Sequence, residues 1–465
     1  SSGNNTYPTT QDFDTPINST SFPLAVGAYD TGTVDPFDGY MAEVHFIDGL
    51  SFFSDTSGTA NPSFNIDSFG ETKEGIWIPK EYTGSHGTNG FYLNFTDDTT
   101  AAGFSSVAYE GNSSTQSITG VGFQPDFVWV KNRQTTYHHA LVDVVRGATK
   151  SLSTSLRTTE SSVERTSDIT SLDSDGFSLQ FVNATGSFSE NQGSQKYISW
   201  NWQAGGTPTT DNSAGQGNVP TAGSVKINGS NSSSALSGSL VAKKISANTT
   251  YGFSIVKWTG VGTAANTIDH GLGVAPKFII TKHINDSTYN WNCFHQGLDA
   301  SSPEDFFIGI NPNTAGSPSG RGGISAANTW NQTLPTTSVF SVNGEDMIAY
   351  CFAEISGYSS IGSYTGNGSS TGPTVTTGFD VGWLLVKKTH TVSSGATASG
   401  TSWIVLDRSR DPGTEGRTPL FAGESAAEVD SPSVTFTSTG FQIATVSGSL
   451  NTNGANYIYV AIKNT

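Results

Sequence analysis

Apolar residues in this chain come in short runs fenced by Gly, Pro, Asn and Ser, and one such run recurs. Gly122 to Lys131 reads GFQPDFVWVK; Gly273 to Lys282 reads GVAPKFIITK; Gly378 to Lys387 reads GFDVGWLLVK. In each copy a Gly stands nine residues before a Lys, and an aromatic (Phe127, Phe278, Trp383) opens an unbroken apolar stretch. Stretches this short, rich in Val, Ile, Trp and Phe and opened by Gly and Pro, predict buried β-strands rather than helices.

The surroundings repeat in the same order. An aromatic-x-Gly turn precedes each run, at Tyr109 to Gly111, Trp258 to Gly260 and Tyr364 to Gly366. A second strand follows at 140–143, 292–295 and 404–407, then a hairpin-like segment at 176–179, 339–342 and 440–443. Each copy closes on an aromatic-rich strand, at 197–202, 347–352 and 457–462. The pattern predicts an all-β fold of tandem β-sandwich (jelly-roll-like) domains. The boundaries it implies are repeats at 101–205, 250–356 and 357–465, with a Gly/Ser/Thr/Asn-rich linker at 206–249. Within that linker, 223–228 and 240–245 are candidate extra strands. Repeats two and three abut through Ile355 to Tyr358, which predicts a rigid junction.

Composition agrees with this reading. The 465 residues exceed a single core, and 53 Gly, 18 Pro and 27 Phe describe short strands joined by many turns. A formal charge of −17, with 22 Lys and Arg in all, argues against a nucleic-acid or anionic-membrane surface, since either needs a basic stripe. No apolar run approaches the length of a membrane-spanning helix. Position 1 is Ser and no signal peptide is visible, so the sequence is read as starting after processing or inside a longer chain.

The first hundred residues differ from the repeats. LAVGAYDTG (24–32) and PFDGYMAEVHFIDG (36–49) resemble the last strands of a laminin-G-like, concanavalin A-type jelly roll, which is too short here to be complete. A Gly-punctuated connector with one aromatic strand at its end runs from 69 to 95. The blocks YTGNGSSTGPTVTTGFDVGWLLVKKT and YEGNSSTQSITGVGFQPDFVWVKNR resemble a repeat family of unknown function. That family is associated with tailed bacteriophages of marine bacteria, cyanophages among them, where it sits behind laminin-G-like modules in tail-fibre and other virion proteins. The resemblance implies a structural virion protein at the virion surface: a string of β domains in a tail fibre or surface appendage, taking part in host-surface glycan attachment. It further implies a homo-oligomer, a trimer by analogy, with other virion proteins and host polysaccharide as partners and no catalytic role. A bacterial lectin-like adhesin or filament subunit is the alternative, and a glycan depolymerase a third reading. The middle copy departs by placing His295 where the others have Asp143 and Asp407.

Candidate chemistry is sparse. Trp77, Tyr82, Trp291 and Trp330 lie outside the repeat-defining strands and are the candidates for stacking on sugar rings, each with core or loop anchoring as the competing reading. Asp35 and Asp38 are the candidate calcium ligands, since lectin-type jelly rolls place calcium near such loops; turn residues are the plainer reading, and no other cofactor is expected. Asp173-Ser-Asp175-Gly176 resembles the start of a calcium loop but reads better as a β-turn. Asp143/Arg146 and Asp407/Arg410 read as local ion pairs closing turns, of the exposed kind that contributes little. His138 and His139, as neighbours on a strand, point to opposite faces and cannot share one ion. Cys293 and Cys351 read as buried small hydrophobes, with an interstrand disulfide as the alternative. No nucleophile elbow, phosphate loop or dinucleotide fingerprint occurs.

Overall fold

The computed structural model describes residues 103–159, 167–182, 188–262, 266–303, 306–311, 317–318, 329–332, 342–389 and 402–464, with short pieces of the first hundred (44–47, 66–73, 76–79, 82, 84–87 and 91–93). The chain divides into two units, Ser1–Asp98 and Thr99–Thr465. In the first, Val44–Phe46 pairs with Phe91–Leu93 and Gly70–Lys73 pairs with Ile76–Pro79. The first laminin-G-like segment, 24–32, lies outside the described residues, as does most of 36–49.

The second unit is all-β, and each repeat builds the same sheet. Its opening strand is Phe104–Glu110, Phe253–Thr259 or Ser359–Thr365. The motif strand is Phe127–Asn132, Phe278–His283 or Val381–Lys388. The third strand is Ala140–Asp143, Asn292–His295 or Ile404–Asp407, and an edge strand follows at Gly147–Leu152, Phe306–Gly309 or Leu420–Phe421. The closing strand, Lys196–Trp202, Asp346–Phe352 or Asn456–Lys463, inserts between opening and motif strands, antiparallel to both. A second, smaller sheet covers each outer face: 169–173, 176–179 and 116–118 in repeat one, 266–269 with 329–332 in repeat two, and 374–376, 440–443, 434–437 and 415–416 in repeat three. The three sandwiches are therefore tandem in sequence.

In space they are not strung out, because their inner faces share one core. Alternation sends Phe127 and Trp129, Phe278 and Ile280, and Trp383 and Leu385 inward, while Val128 and Val130, Ile279, and Leu384 and Val386 face the separate outer cores. This is why the motif strand reads as an unbroken apolar run: it is buried on both faces. Aromatic rings meet across every junction: Phe127 and Tyr350 at 4.4 Å, Trp202 and Trp383 at 5.5 Å, and Phe278 and Trp403 at 5.6 Å between centroids. The extended string suggested by the repeats gives way to a ring of three.

Buried hydrogen bonds close the ring. At the start of each third strand a ring N–H reaches the end of another repeat's edge strand or the loop just beyond it. His139 Nε2 donates to Phe421 O (2.9 Å) and Glu424 O (3.0 Å), Trp403 Nε1 to Gly309 O (2.9 Å), and Trp291 Nε1 to Ser153 O (2.7 Å) and Leu156 O (3.1 Å). The order runs one to three, three to two and two to one, a closed cycle of head-to-tail contacts. His139 takes the indole's place because Trp129 Nε1 donates to its Nδ1 at 2.8 Å, which leaves the proton on Nε2.

At the end of the third strand the cycle is repeated with other chemistry. Tyr350 OH donates to Asp143 Oδ2 at 2.9 Å, and Trp200 Nε1 donates to Asp407 Oδ2 at 2.9 Å. Both acids also pair with an Arg three residues on, Arg146 at 2.6 Å and Arg410 at 2.7 Å, and all four side chains are fully buried. The expectation of exposed turn-closing pairs is corrected here: they close turns, but inside the junctions. The equivalent of Tyr350 and Trp200 in the third closing strand is Val460, which has no donor. Its partner in repeat two is accordingly His295, whose Nδ1 accepts from Gly297 N (2.9 Å) and whose Nε2 donates to Tyr459 O (3.1 Å). Burial holds that imidazole neutral, its pKa lowered to about 4.

Two local devices explain other repeated letters. Gly111 and Gly366 of the aromatic-x-Gly turns lie so close to the closing loop that a Cβ would stand 2.3 Å from Gln192 O and 2.4 Å from Thr452 O. Fully buried Asn191 and Asn451 then staple those turns, accepting from Asn112 N (3.0 Å) and Asn367 N (2.8 Å). The motif lysines, Lys131, Lys282 and Lys387, share the inward face and are buried. Lys131 Nζ donates to Asn132 O (2.7 Å) and Ser425 O (3.1 Å), and Lys282 Nζ to His283 O (2.8 Å) and Asp286 O (3.0 Å). Burial lowers their pKa values to about 7, 8 and 8 in that order.

Candidate functional site

Where repeat one hands the chain to the 206–249 stretch, the composition reads as linker but the residues are built in. Val225–Ile227, Ser230–Asn231 and Lys244–Asn248 extend the sheet of repeat two, and Leu236, Leu240 and Ala242 are buried in its outer core. The Gly, Ser and Asn content serves tight turns rather than a tether.

The junction leaves a recess of about 370 Å³ lined by Gln124, Asp126, Gln203 to Gly206, Asn228, Gly229, Asn248, Thr250 and Tyr251. Asp126 forms its floor. The backbone on either side of the side chain is pinned, Asp126 N donating to Trp202 O (2.8 Å) and Val144 N to Asp126 O (2.9 Å). One carboxylate oxygen, Oδ2, accepts from Ala204 N (2.7 Å) and Gly206 N (3.1 Å), which ties down the departing chain. No described residue donates to the other oxygen, although Asp126 is only 3% exposed. Burial outweighs the two N–H donors and pushes the carboxyl up to about 6.

Asn248 stands across from it, 7% exposed. Its Oδ1 accepts from Thr250 N (3.0 Å) and Tyr251 N (3.1 Å), capping the turn, and its Nδ2 has no acceptor among the described residues. Tyr251 supplies an aromatic wall: it rests on Gly103, whose Cβ would meet the ring at 2.1 Å, and contacts Tyr358 at 5.2 Å. The recess thus offers an acceptor and a donor, each on a little-exposed side chain but open to solvent, beside a ring. A buried carboxylate with a strongly perturbed pKa in a cleft is what marks candidate sites in general.

The other copies lack this arrangement. At the position of Asp126 they carry Lys277, paired with Glu354 at 2.5 Å, and Gly382, where a Cβ would stand 2.6 Å from Asn464 Cα. A larger open recess of about 670 Å³ beside Gln296 to Ser301, Ser363 and Asn456 has no comparable buried carboxylate. In the sequence Asp126 stands inside the repeat-defining motif without a local signal for a site; its mark is one acid at a position that differs in all three copies, Asp126, Lys277 and Gly382.

The residues singled out from sequence do not converge. Trp291 is corrected: with no exposure and its indole N–H spent on Ser153 O and Leu156 O, it is a junction residue that no sugar can reach. Tyr82, half-buried in the first unit, stacks on Phe69 at 4.9 Å and meets His45 and His86 edge-on, an anchoring role. The backbones of Trp77 and Trp330 lie on strands opposite Thr72 and Ile268, but their side chains, like Asp35 and Asp38, lie outside the described residues. Asp173 and Asp175 flank a hairpin turn, Asp175 accepting from Gly120 N (3.0 Å) and Gly122 N (2.6 Å), as the turn reading requires. His138 turns to Ser155 Oγ (2.8 Å), away from His139. Among the described residues no three His, Cys, Asp or Glu gather as a metal site, and no helix is long and apolar enough to cross a membrane.

Fold and recess together define a three-sandwich β ring with a polar, ligand-sized cleft where repeat one meets the 206–249 segment. A family profile described as a domain of unknown function, DUF7483, matches residues 99–229 and 212–465, and the chain belongs to that family. No curated protein and no solved structure matches the chain.

Proposed function

We propose that this chain is a non-enzymatic structural and attachment protein of an extracellular appendage, a tail fibre or related surface part of a tailed bacteriophage, that presents polar loops to a host-surface glycan. The observation that carries the reading is the closed cycle of buried donors joining three sandwiches around one core. Such interlocking yields a rigid body whose loops are held in fixed relation, which suits display and attachment. The acidic balance favours neutral partners over phosphate-rich ones. Homotrimer assembly and contacts with other virion proteins belong to the same proposal. They require surfaces beyond the ring's inner faces, which are already occupied. Immunogold labelling of phage particles with antibodies raised against residues 99–465 tests it: label on tails or fibres supports the reading. Label confined to uninfected bacterial surfaces favours the adhesin alternative. Release of reducing ends from host polysaccharide would favour a depolymerase, the third class.

A further inference from the structure

We infer that the recess at the junction of repeat one and the 206–249 segment is a binding site for a neutral saccharide, with Asp126 Oδ1 accepting from a sugar hydroxyl and Asn248 Nδ2 donating to a neighbouring one. The inference deepens the attachment reading and rests on it only for the source of the glycan.

Each side chain is more than nine-tenths buried, and each uses one polar atom to hold backbone while the other atom has no partner among the described residues. Neither free atom is sealed: both open to solvent at the recess, so a ligand that displaces their water can supply both bonds at once. A vicinal diol does so: a hydroxyl both donates and accepts, and adjacent hydroxyls on one ring can meet an acceptor and a donor together. The recess volume of about 370 Å³ lies at the small end of ligand clefts, enough for one or two pyranose rings. Tyr251 gives the apolar face of a sugar ring a surface to lie on. Gln124 and Gln203 line the rim, their amides adding both donors and acceptors. The absence of an Arg or Lys from the lining and the presence of a carboxylate exclude uronic, sialic or phosphorylated sugars at this point, since a second anion would face Asp126 with no counter-charge.

The site is also a product of the chain's asymmetry. Repeat one supplies the carboxylate, while Asn228, Gly229 and Asn248 come from the segment that separates it from repeat two. Repeats two and three abut directly, and their copies of Asp126 are Lys277 and Gly382.

Saturation-transfer NMR of the full chain with the methyl glycosides of glucose, galactose and mannose, followed by a printed array of neutral and acidic oligosaccharides, tests the inference. Binding of at least one neutral glycoside is expected, weakened tenfold or more by Asp126→Asn and by Asn248→Ala. Asp126→Asn keeps an oxygen for the N–H groups of Ala204 and Gly206, so its fold should be intact, as its circular dichroism and melting will report. Absence of binding by every neutral sugar, binding of acidic glycans alone, or equal binding by folded Asp126→Asn overturns the assignment. Host-cell adsorption unchanged by Asp126→Asn, alongside lost glycoside binding, would instead leave this site standing and count against its role in attachment.

Discussion

Replacing Asp143 with Ala tests whether the repeats are locked together through their buried ends. The carboxylate accepts from Arg146 Nε (2.6 Å), Tyr350 OH (2.9 Å), Val145 N (2.9 Å) and Arg146 N (2.8 Å), and both charged side chains are fully buried. Deleting it leaves the guanidinium inside with neutral partners such as Lys150 O, Leu141 O and the Tyr350 hydroxyl but no counter-charge from Asp143, and deprives that hydroxyl of its acceptor. Removing one partner of a buried pair costs about 3–5 kcal/mol, whereas an exposed pair is worth under about 1 kcal/mol. Glu415→Ala, which breaks the exposed Glu415–Arg417 pair, is the control. Guanidinium unfolding followed by tryptophan fluorescence and by far-ultraviolet circular dichroism reads both. Asp143→Ala should shift the midpoint by the larger amount, with the two probes still coincident because the repeats share a core. A cycle with Tyr350→Phe should return a coupling of about 1–2 kcal/mol between repeats one and two. A loss below about 1 kcal/mol for Asp143→Ala, or separate transitions in the wild type, would refute the argument.

Four further outcomes follow from the same geometry. His295→Asp, which installs the acid of the other copies, should destabilise by about 3 kcal/mol or more, because Gly297 N could still serve the buried carboxylate but the side facing Tyr459 O would meet an acceptor in place of a donor; a neutral effect in denaturant would show that the tautomer argument is mistaken. Stability should rise between pH 7 and about 9.5: the buried lysines hold fewer protons when folded than unfolded across this window, and Lys131→Met should flatten the slope. The buried tyrosines Tyr109, Tyr350 and Tyr364, with pKa values raised by burial, turn the trend downward only above about pH 10. Asp126→Asn should raise stability at pH 8 by on the order of 2 to 3 kcal/mol: a carboxyl titrating near 6 when folded and near about 4 when unfolded loses stability as pH rises through that interval, and a melting point that does not rise at pH 8 counts against the raised value. Cys293 faces the shared core and Cys351 the outer core of the same sheet, so they cannot bond to one another; a thiol reagent should find neither in the native protein and both after unfolding.

Much of the fold was legible in the sequence because strand burial is a local signal. The recurrence of Gly, aromatic and Lys at fixed spacing, and the alternation within the closing strands, specified the sheets and the sandwiches copy by copy. What local pattern could not carry was the partner of each face. A strand buried on both sides looks the same whether its inner face meets its own domain or two others, so the ring was decided by tertiary structure alone. The same limit hid the meaning of Asp143, Asp407 and His295: the residue fixing each choice is a Tyr, a Trp or a Val in another repeat. It also misdirected the reading of Trp291, whose place outside the motif suggested exposure while the neighbouring repeat buried it. Asp126 became a candidate only when the 206–249 segment folded over it, because burial and a missing hydrogen-bond partner are properties of the assembled chain.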